Sequence, residues 1–99
     1  MRAFLVGILL LCLPATVRAE EMVTSHFKAK QPHIAAHRTL PIGTKLKVTN
    51  PKNGKSKEVT IGTRGPFIKG RHLDISKTYA MELGFGKSGV LRLQTEVVQ

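Results

Sequence analysis

Two short stretches of the chain alternate apolar and polar residues with a period of two, the mark of half-buried strands. Lys45-Leu46-Lys47-Val48-Thr49 is the first and Lys57-Glu58-Val59-Thr60-Ile61 the second. Between them runs Asn50-Pro51-Lys52-Asn53-Gly54-Lys55-Ser56, where Asn53-Gly54 predicts a hairpin because both residues tolerate positive φ. Leu46, Val48, Val59 and Ile61 then face one core, and Lys45, Lys47, Lys55 and Lys57 line an outer face. A last strand is expected from about Val90 to Val98, with Leu91, Leu93 and Val97 on one side. One helix is predicted: Ser76 is its N-cap, Lys77 to Leu83 carries Tyr79, Ala80 and Leu83 at helical spacing, and Gly84 closes it. Residues 20–33 are polar and irregular and read as the least ordered part. Several short strands and one short helix predict a mainly β fold, a small closed barrel without exposed edges.

The start of the chain changes what counts as the folded domain. Met1-Arg2 is a short positive segment, and the apolar run Phe4 to Leu13 is too short to span a bilayer. Val17-Arg18-Ala19 offers small residues where a signal peptidase reads, so residues 1–19 are expected to be a signal peptide cleaved before Glu20. Cys12 falls inside that segment, and Leu11 precedes it where a lipoprotein signal calls for a small residue. The remaining 80 residues, 20–99, divide into an irregular segment 20–33, which leaves room for a first strand, and a domain over 34–99. Export places the protein in the periplasm or cell envelope.

Charge narrows the partners. Taking Arg2 and Arg18 from the 16 Lys+Arg leaves 14 against 6 Asp+Glu, a net charge of +8. Such a surface attracts polyanions, namely nucleic acid, anionic lipid or an acidic cell-wall polymer, and export disfavours nucleic acid. Neither stable membrane insertion nor a cofactor is expected, and so small a barrel is expected to be a monomer. His26, His33 and His72 share no metal-ligand spacing and the mature chain has no cysteine, so no metal site is expected.

Residues 59–76, VTIGTRGPFIKGRHLDIS, carry the candidate chemistry. Asp74 is the only acid between Glu58 and Glu82 and has Arg64, Lys69, Arg71 and Lys77 around it in sequence. It serves as an acid/base only if its pKa is raised, whereas Arg64 or Arg71 nearby pushes it down. The other reading makes it a structural acceptor of backbone N–H groups from the Arg64–Phe67 loop and the helix start. His37 is likewise either a group that contacts substrate or a buried imidazole bonded to main chain.

AAHRTLPIGTKLKVTNPKNGKS (35–56) and RGPFIKGRHLDIS (64–76), followed by a Gly-Val and an alternating strand, resemble the rare lipoprotein A (RlpA)-like domain over roughly residues 34–98. The resemblance implies a six-stranded double-psi β-barrel and endolytic cleavage of peptidoglycan glycan strands by lytic transglycosylation. Thr24-Ser25-His26-Phe27 is similar to the family's opening strand. The family's groove combines an upstream carboxylate segment, the histidine that His37 matches, and an aspartate opening an Asp-Arg-Gly-Pro loop. Here Thr63 stands at that aspartate's position, and a threonine is no general acid near neutral pH. The upstream loop is cut to Lys28–His33, and no Asp or Glu lies between Glu21 and Glu58.

Leu73-Asp74-Ile75-Ser76 is similar to the Leu-Asp-Leu-Ser motif of expansins, whose aspartate is the essential groove acid. The resemblance therefore implies Asp74 and His37 as catalytic residues. Thr63, Gly65 and Pro66 of the matching loop are expected to line the groove, and the planar forks of Arg38 and Arg64 make them candidates for the carboxylates of stem peptides or muramic acid. Gly65 and Pro66 set the turn whose backbone lines the groove. Two functions follow: a lytic transglycosylase with an altered site, or a non-catalytic barrel that binds or loosens glycan.

Overall fold

The computed structural model describes residues 19–98. The export-signal reading, with Cys12, therefore lies outside the described residues. Six strands and one helix follow in the order β1 (Ala19–Phe27), β2 (Ile34–His37), β3 (Lys45–Thr49), β4 (Ser56–Thr63), β5 (Leu73–Ser76), α1 (Lys77–Glu82) and β6 (Val90–Val97). The strands close into a barrel in the order β1-β5-β2-β4-β3-β6. β1 pairs with β5, and β2 with β4, in parallel, while the other neighbours run antiparallel. This is the mainly β, six-stranded barrel with one short helix that the sequence predicts.

The hairpin and the helix form where local sequence places them. Leu46 and Val48 of β3 and Val59 and Ile61 of β4 are all buried, and Lys45, Lys47 and Lys55 are exposed. Lys57 departs from the outer-face reading: it is half-buried, pairs with Glu82, and its Nζ sits 4.8 Å over the Tyr79 ring centroid. In the turn only Gly54 takes a positive φ, +77°. Asn53 is held by its side chain instead, donating to Leu83 O at 3.1 Å and accepting from Lys55 N at 2.9 Å. Ser76 Oγ caps α1 by accepting from Tyr79 N at 3.1 Å. At the other end Gly84, at φ +93°, lets Phe85 N reach Ala80 O at 2.9 Å and Gly84 N reach Met81 O at 3.0 Å. That is a Schellman closure.

Two expectations are corrected. Residues 20–33 are less irregular than they read: the opening strand expected at Thr24–Phe27 extends over Ala19–Phe27 as β1, pairs with both β5 and β6, and belongs to the barrel. Its inward positions hide it from a hydrophobicity reading: Met22 and Thr24 are buried, and the Thr24 hydroxyl is satisfied by Met22 O at 3.1 Å. In β6, Leu93 faces the core as expected and Leu91 is half-buried, but Val97 is 45% exposed. Thr95 takes the inward place, its hydroxyl donating to Glu20 O at 2.8 Å, and Val97 is left at the rim beside Leu46.

Candidate functional site

The barrel's register assembles one row of side chains from four strands. Ser25 of β1 stands opposite Asp74 of β5, Asp74 opposite Ala36 of β2, and Ala36 opposite Thr63 of β4. Strand alternation sends Leu73 and Ile75 into the core and turns Asp74 to the outer face. A bulge contributes to the alignment: Ala35 pairs with Ile61 but Ala36 pairs with Thr63, which skips Gly62. A Cβ at Gly62 would lie 2.8 Å from Ile34 Cγ2, so a larger residue there would have to displace the Ile34 side chain.

Asp74 is half-buried, and Ser25 Oγ donates to its Oδ1 at 2.9 Å. Burial pushes its carboxyl above the usual range, opposed by the Ser25 bond and by the charges of His26 and Arg71. Arg71 thus acts as sequence reasoning expects, but burial outweighs it. Arg64 is spent elsewhere, donating to the carbonyls of His37 and Leu40. The structural reading of Asp74 as an acceptor of loop N–H groups is not what the geometry offers; among the described residues its hydrogen bond comes from the Ser25 hydroxyl.

The remaining groove candidates surround this row unevenly. Gly65 and Pro66 are buried, and Gly65, at φ +127°, brings its Cβ position to 4.0 Å from the Ala36 Cβ. The loop is therefore laid across the middle of the row. Thr63 is exposed and borders a shallow groove of about 440 Å³ with Phe27, the Lys28–Gln31 segment and Ile34. Arg38 Nη2 donates to Arg71 O at 2.8 Å, so both arginines brace loops through main-chain carbonyls.

His37 opens onto a different depression. Its Nδ1 accepts from Thr39 N and Leu40 N, each at 3.1 Å, which places the ring proton on Nε2. Burial lowers its pKa, with Glu20 opposing and Arg38, His72 and Arg64 adding to the fall. The cleft it lines, about 480 Å³, also takes Glu20, Glu21, Met22, Arg38, Thr39 and His72; Asp74 is not among its walls. His37 and Asp74 therefore sit on adjacent positions of paired strands without sharing a cleft.

Ser25 and His72 are the residues that sequence reasoning passed over. His72 Nδ1 accepts from Val23 N at 3.1 Å, a bond across 49 positions of sequence, and Ser25 reaches Asp74 across the same separation. No local pattern signals either contact.

Residues 25–95 match the protein family described as lytic transglycolase. A probable endolytic peptidoglycan transglycosylase RlpA from Synechocystis is 51% identical over 65 residues, which is 66% of this chain and 20% of that protein. Its counterpart from Aquifex aeolicus is 45% identical over 67 residues, covering 68% of this chain and 30% of the relative. The chain thus spans less than a third of the length of these curated relatives. Among solved structures, an apo expansin from Clavibacter michiganensis superposes with a TM-score of 0.68 at 19% identity, over 83% of this chain and 51% of that one. The Streptomyces papain inhibitor gives 0.66 at 16% identity, over 83% and 96%. These likenesses are of fold, the double-psi β-barrel. By the match of residues 25–95, the chain belongs to the lytic transglycolase family.

Proposed function

We propose that this chain is an exported cell-envelope protein that cuts peptidoglycan glycan strands as an endolytic lytic transglycosylase, with Asp74 as its single acid/base. The observation that carries this reading is Asp74 itself, a half-buried carboxyl held by Ser25 and raised in pKa by burial. A general acid must keep its proton near working pH, and burial favours that form. Protonated Asp74 gives its proton to the glycosidic oxygen as the C1–O bond breaks. Its carboxylate then takes the proton of the sugar's own 6-hydroxyl as that oxygen bonds to C1 and closes the anhydro ring. No water is consumed, and Asp74 ends in the state in which it began. The second carboxylate of ordinary glycosidases is not needed for such a step. His37, with its proton on Nε2, donates a hydrogen bond to substrate from the neighbouring cleft. The names of the relatives support the same chemistry.

Thr63 favours a second reading, a barrel that binds or loosens glycan without cutting it. It lies across Ala36 from Asp74 and supplies no second carboxylate. The fold itself is neutral between the two readings, since sites are grafted onto folds and this one also serves a papain inhibitor. Release of anhydro-muropeptides from purified peptidoglycan, beside retention on the same sacculi, tests both. Wild-type release that falls about 10²–10⁴-fold in Asp74→Asn, with retention kept, supports the enzyme. Firm retention without release by wild type overturns it in favour of the binder.

A further inference from the structure

We infer that Phe67 is an aromatic platform on which one sugar ring of the glycan strand stacks, next to the Asp74 row; the inference rests on the glycan reading above. Phe67 is 77% exposed, whereas Phe85 is buried and Phe27 and Tyr79 are half-buried. Its exposure is not that of a loose loop. On one side Gly65 and Pro66 are buried and Arg64 is tied to the carbonyls of His37 and Leu40. On the other, Arg71 N donates to Ile68 O at 3.1 Å, Arg71 O accepts from Arg38, and His72 N donates to Val23 O at 2.9 Å. A segment fixed at both ends thus keeps a phenyl ring in water and forgoes the stabilisation that burying it contributes.

The ring is held beside the candidate site. The Cβ position of Gly65 lies 3.6 Å from Phe67 Cε2 and 4.0 Å from the Ala36 Cβ, and Ala36 is the cross-strand partner of Asp74. With cross-strand Cβ atoms about 5 Å apart, the ring lies within the reach of a short stretch of glycan from Asp74. A pyranose presents a flat face of C–H bonds whose partial positive charge suits the negative face of an aromatic ring. Ile68, 54% exposed, widens the apolar strip. Lys69, which is exposed, and half-buried Arg71 flank it with positive charge that suits the carboxylates of muramic acid. An anionic bilayer is the other occupant that an apolar tip with cations attracts, and the test below separates the two.

Affinity for peptide-free glycan strands is measured by calorimetry at roughly 0.5 M salt, where charge attraction is screened to a few Å. The proteins are wild type, Phe67→Ala, Phe67→Leu, Phe67→Trp and, as an exposed apolar control, Ile42→Ala. Phe67→Ala and Phe67→Leu are expected to bind about three- to tenfold more weakly. Phe67→Trp and Ile42→Ala should bind like wild type, and all five should melt together. Phe67→Leu binding like wild type overturns stacking in favour of plain apolar contact. Unchanged glycan affinity in Phe67→Ala overturns the platform alone, and a simultaneous loss of binding to phosphatidylglycerol vesicles would reassign the loop to a lipid surface. A wild type that binds no glycan overturns both the platform and the glycan reading.

Discussion

Ser25→Ala isolates the contact that holds Asp74. It deletes the hydroxyl that donates to Oδ1 at 2.9 Å, and because Ser25 is only 5% exposed the change is confined to one oxygen atom in the β1–β5 seam. A hydrogen bond to a charged acceptor contributes about 1.5–3 kcal/mol. Asp74 is half-exposed, so screening argues for the lower end, and about 1.4 kcal/mol corresponds to roughly one pH unit. The sign follows from which form the bond favours. Ser25 stabilises the carboxylate and so opposes burial; without it, burial acts with less resistance and the Asp74 pKa rises further. A general acid works only while protonated. The high-pH limb of kcat/KM for anhydro-muropeptide release should therefore move up by roughly one unit. A carbon-13 NMR titration of the Asp74 carboxyl, which needs no turnover, should move the same way by a similar amount. If the titration moves and the limb does not, Asp74 is not the acid. A titration that stays in place or falls would show that Ser25 does not hold the charged form.

Three further outcomes follow from the same geometry. The raised pKa of Asp74 means that its charged form opposes folding at neutral pH and that this penalty disappears below the unfolded value of 3.8, so stability falls as pH rises through that interval. Asp74→Asn should accordingly melt no lower than wild type at pH 7 by calorimetry, and a clear fall in Tm would return Asp74 to a structural role. The lowered pKa of His37 works in the opposite sense, giving stability that is present above 6.5 and is lost as pH falls through the folded value. His37→Ala should therefore melt lower than wild type at pH 7.5, having lost the bonds from Thr39 and Leu40, and lose less Tm than wild type between pH 7 and pH 5. Thr63→Asp places a carboxylate two strands from Asp74, roughly 10 Å away along the row. Glycan cleavage should rise by up to about 10²-fold as anhydro-muropeptide release, and unchanged release would show that the loop aspartate is not what limits this site.

Local sequence determined the parts of this protein whose partners are near in the chain. The β3–β4 alternation, the Gly54 turn, the Ser76 cap and the Gly84 closure all rest on contacts a few residues apart, and the folded chain keeps each of them. The same holds for the solitary acid at Asp74 and the missing one at Thr63, which are matters of residue identity. The family resemblance marked only Thr24–Phe27 of β1, and periodicity marked none of it, because Thr24 and Ser25 are polar yet buried. Their hydroxyls are satisfied by Met22 O and Asp74, so burial carries no apolar signature. Inward placement of Thr95 in β6 escaped for the same reason, its hydroxyl resting on Glu20 O.

Only barrel closure decided the chemistry of the site. Parallel pairing of β1 with β5 brings Ser25 to Asp74 across 49 residues, and the skipped Gly62 puts Thr63 in register with Ala36. Counting the cations around Asp74 in sequence gave a lowered pKa. The fold reversed the sign, because Arg64 is turned to the carbonyls of His37 and Leu40 and desolvation, a property of the closed barrel, outweighs the charges that remain. Closure likewise separated His37 from Asp74, turning the imidazole to the cleft of Glu20 and His72. Sequence periodicity records which face a residue prefers, but desolvation and long-range register exist only once all six strands are paired.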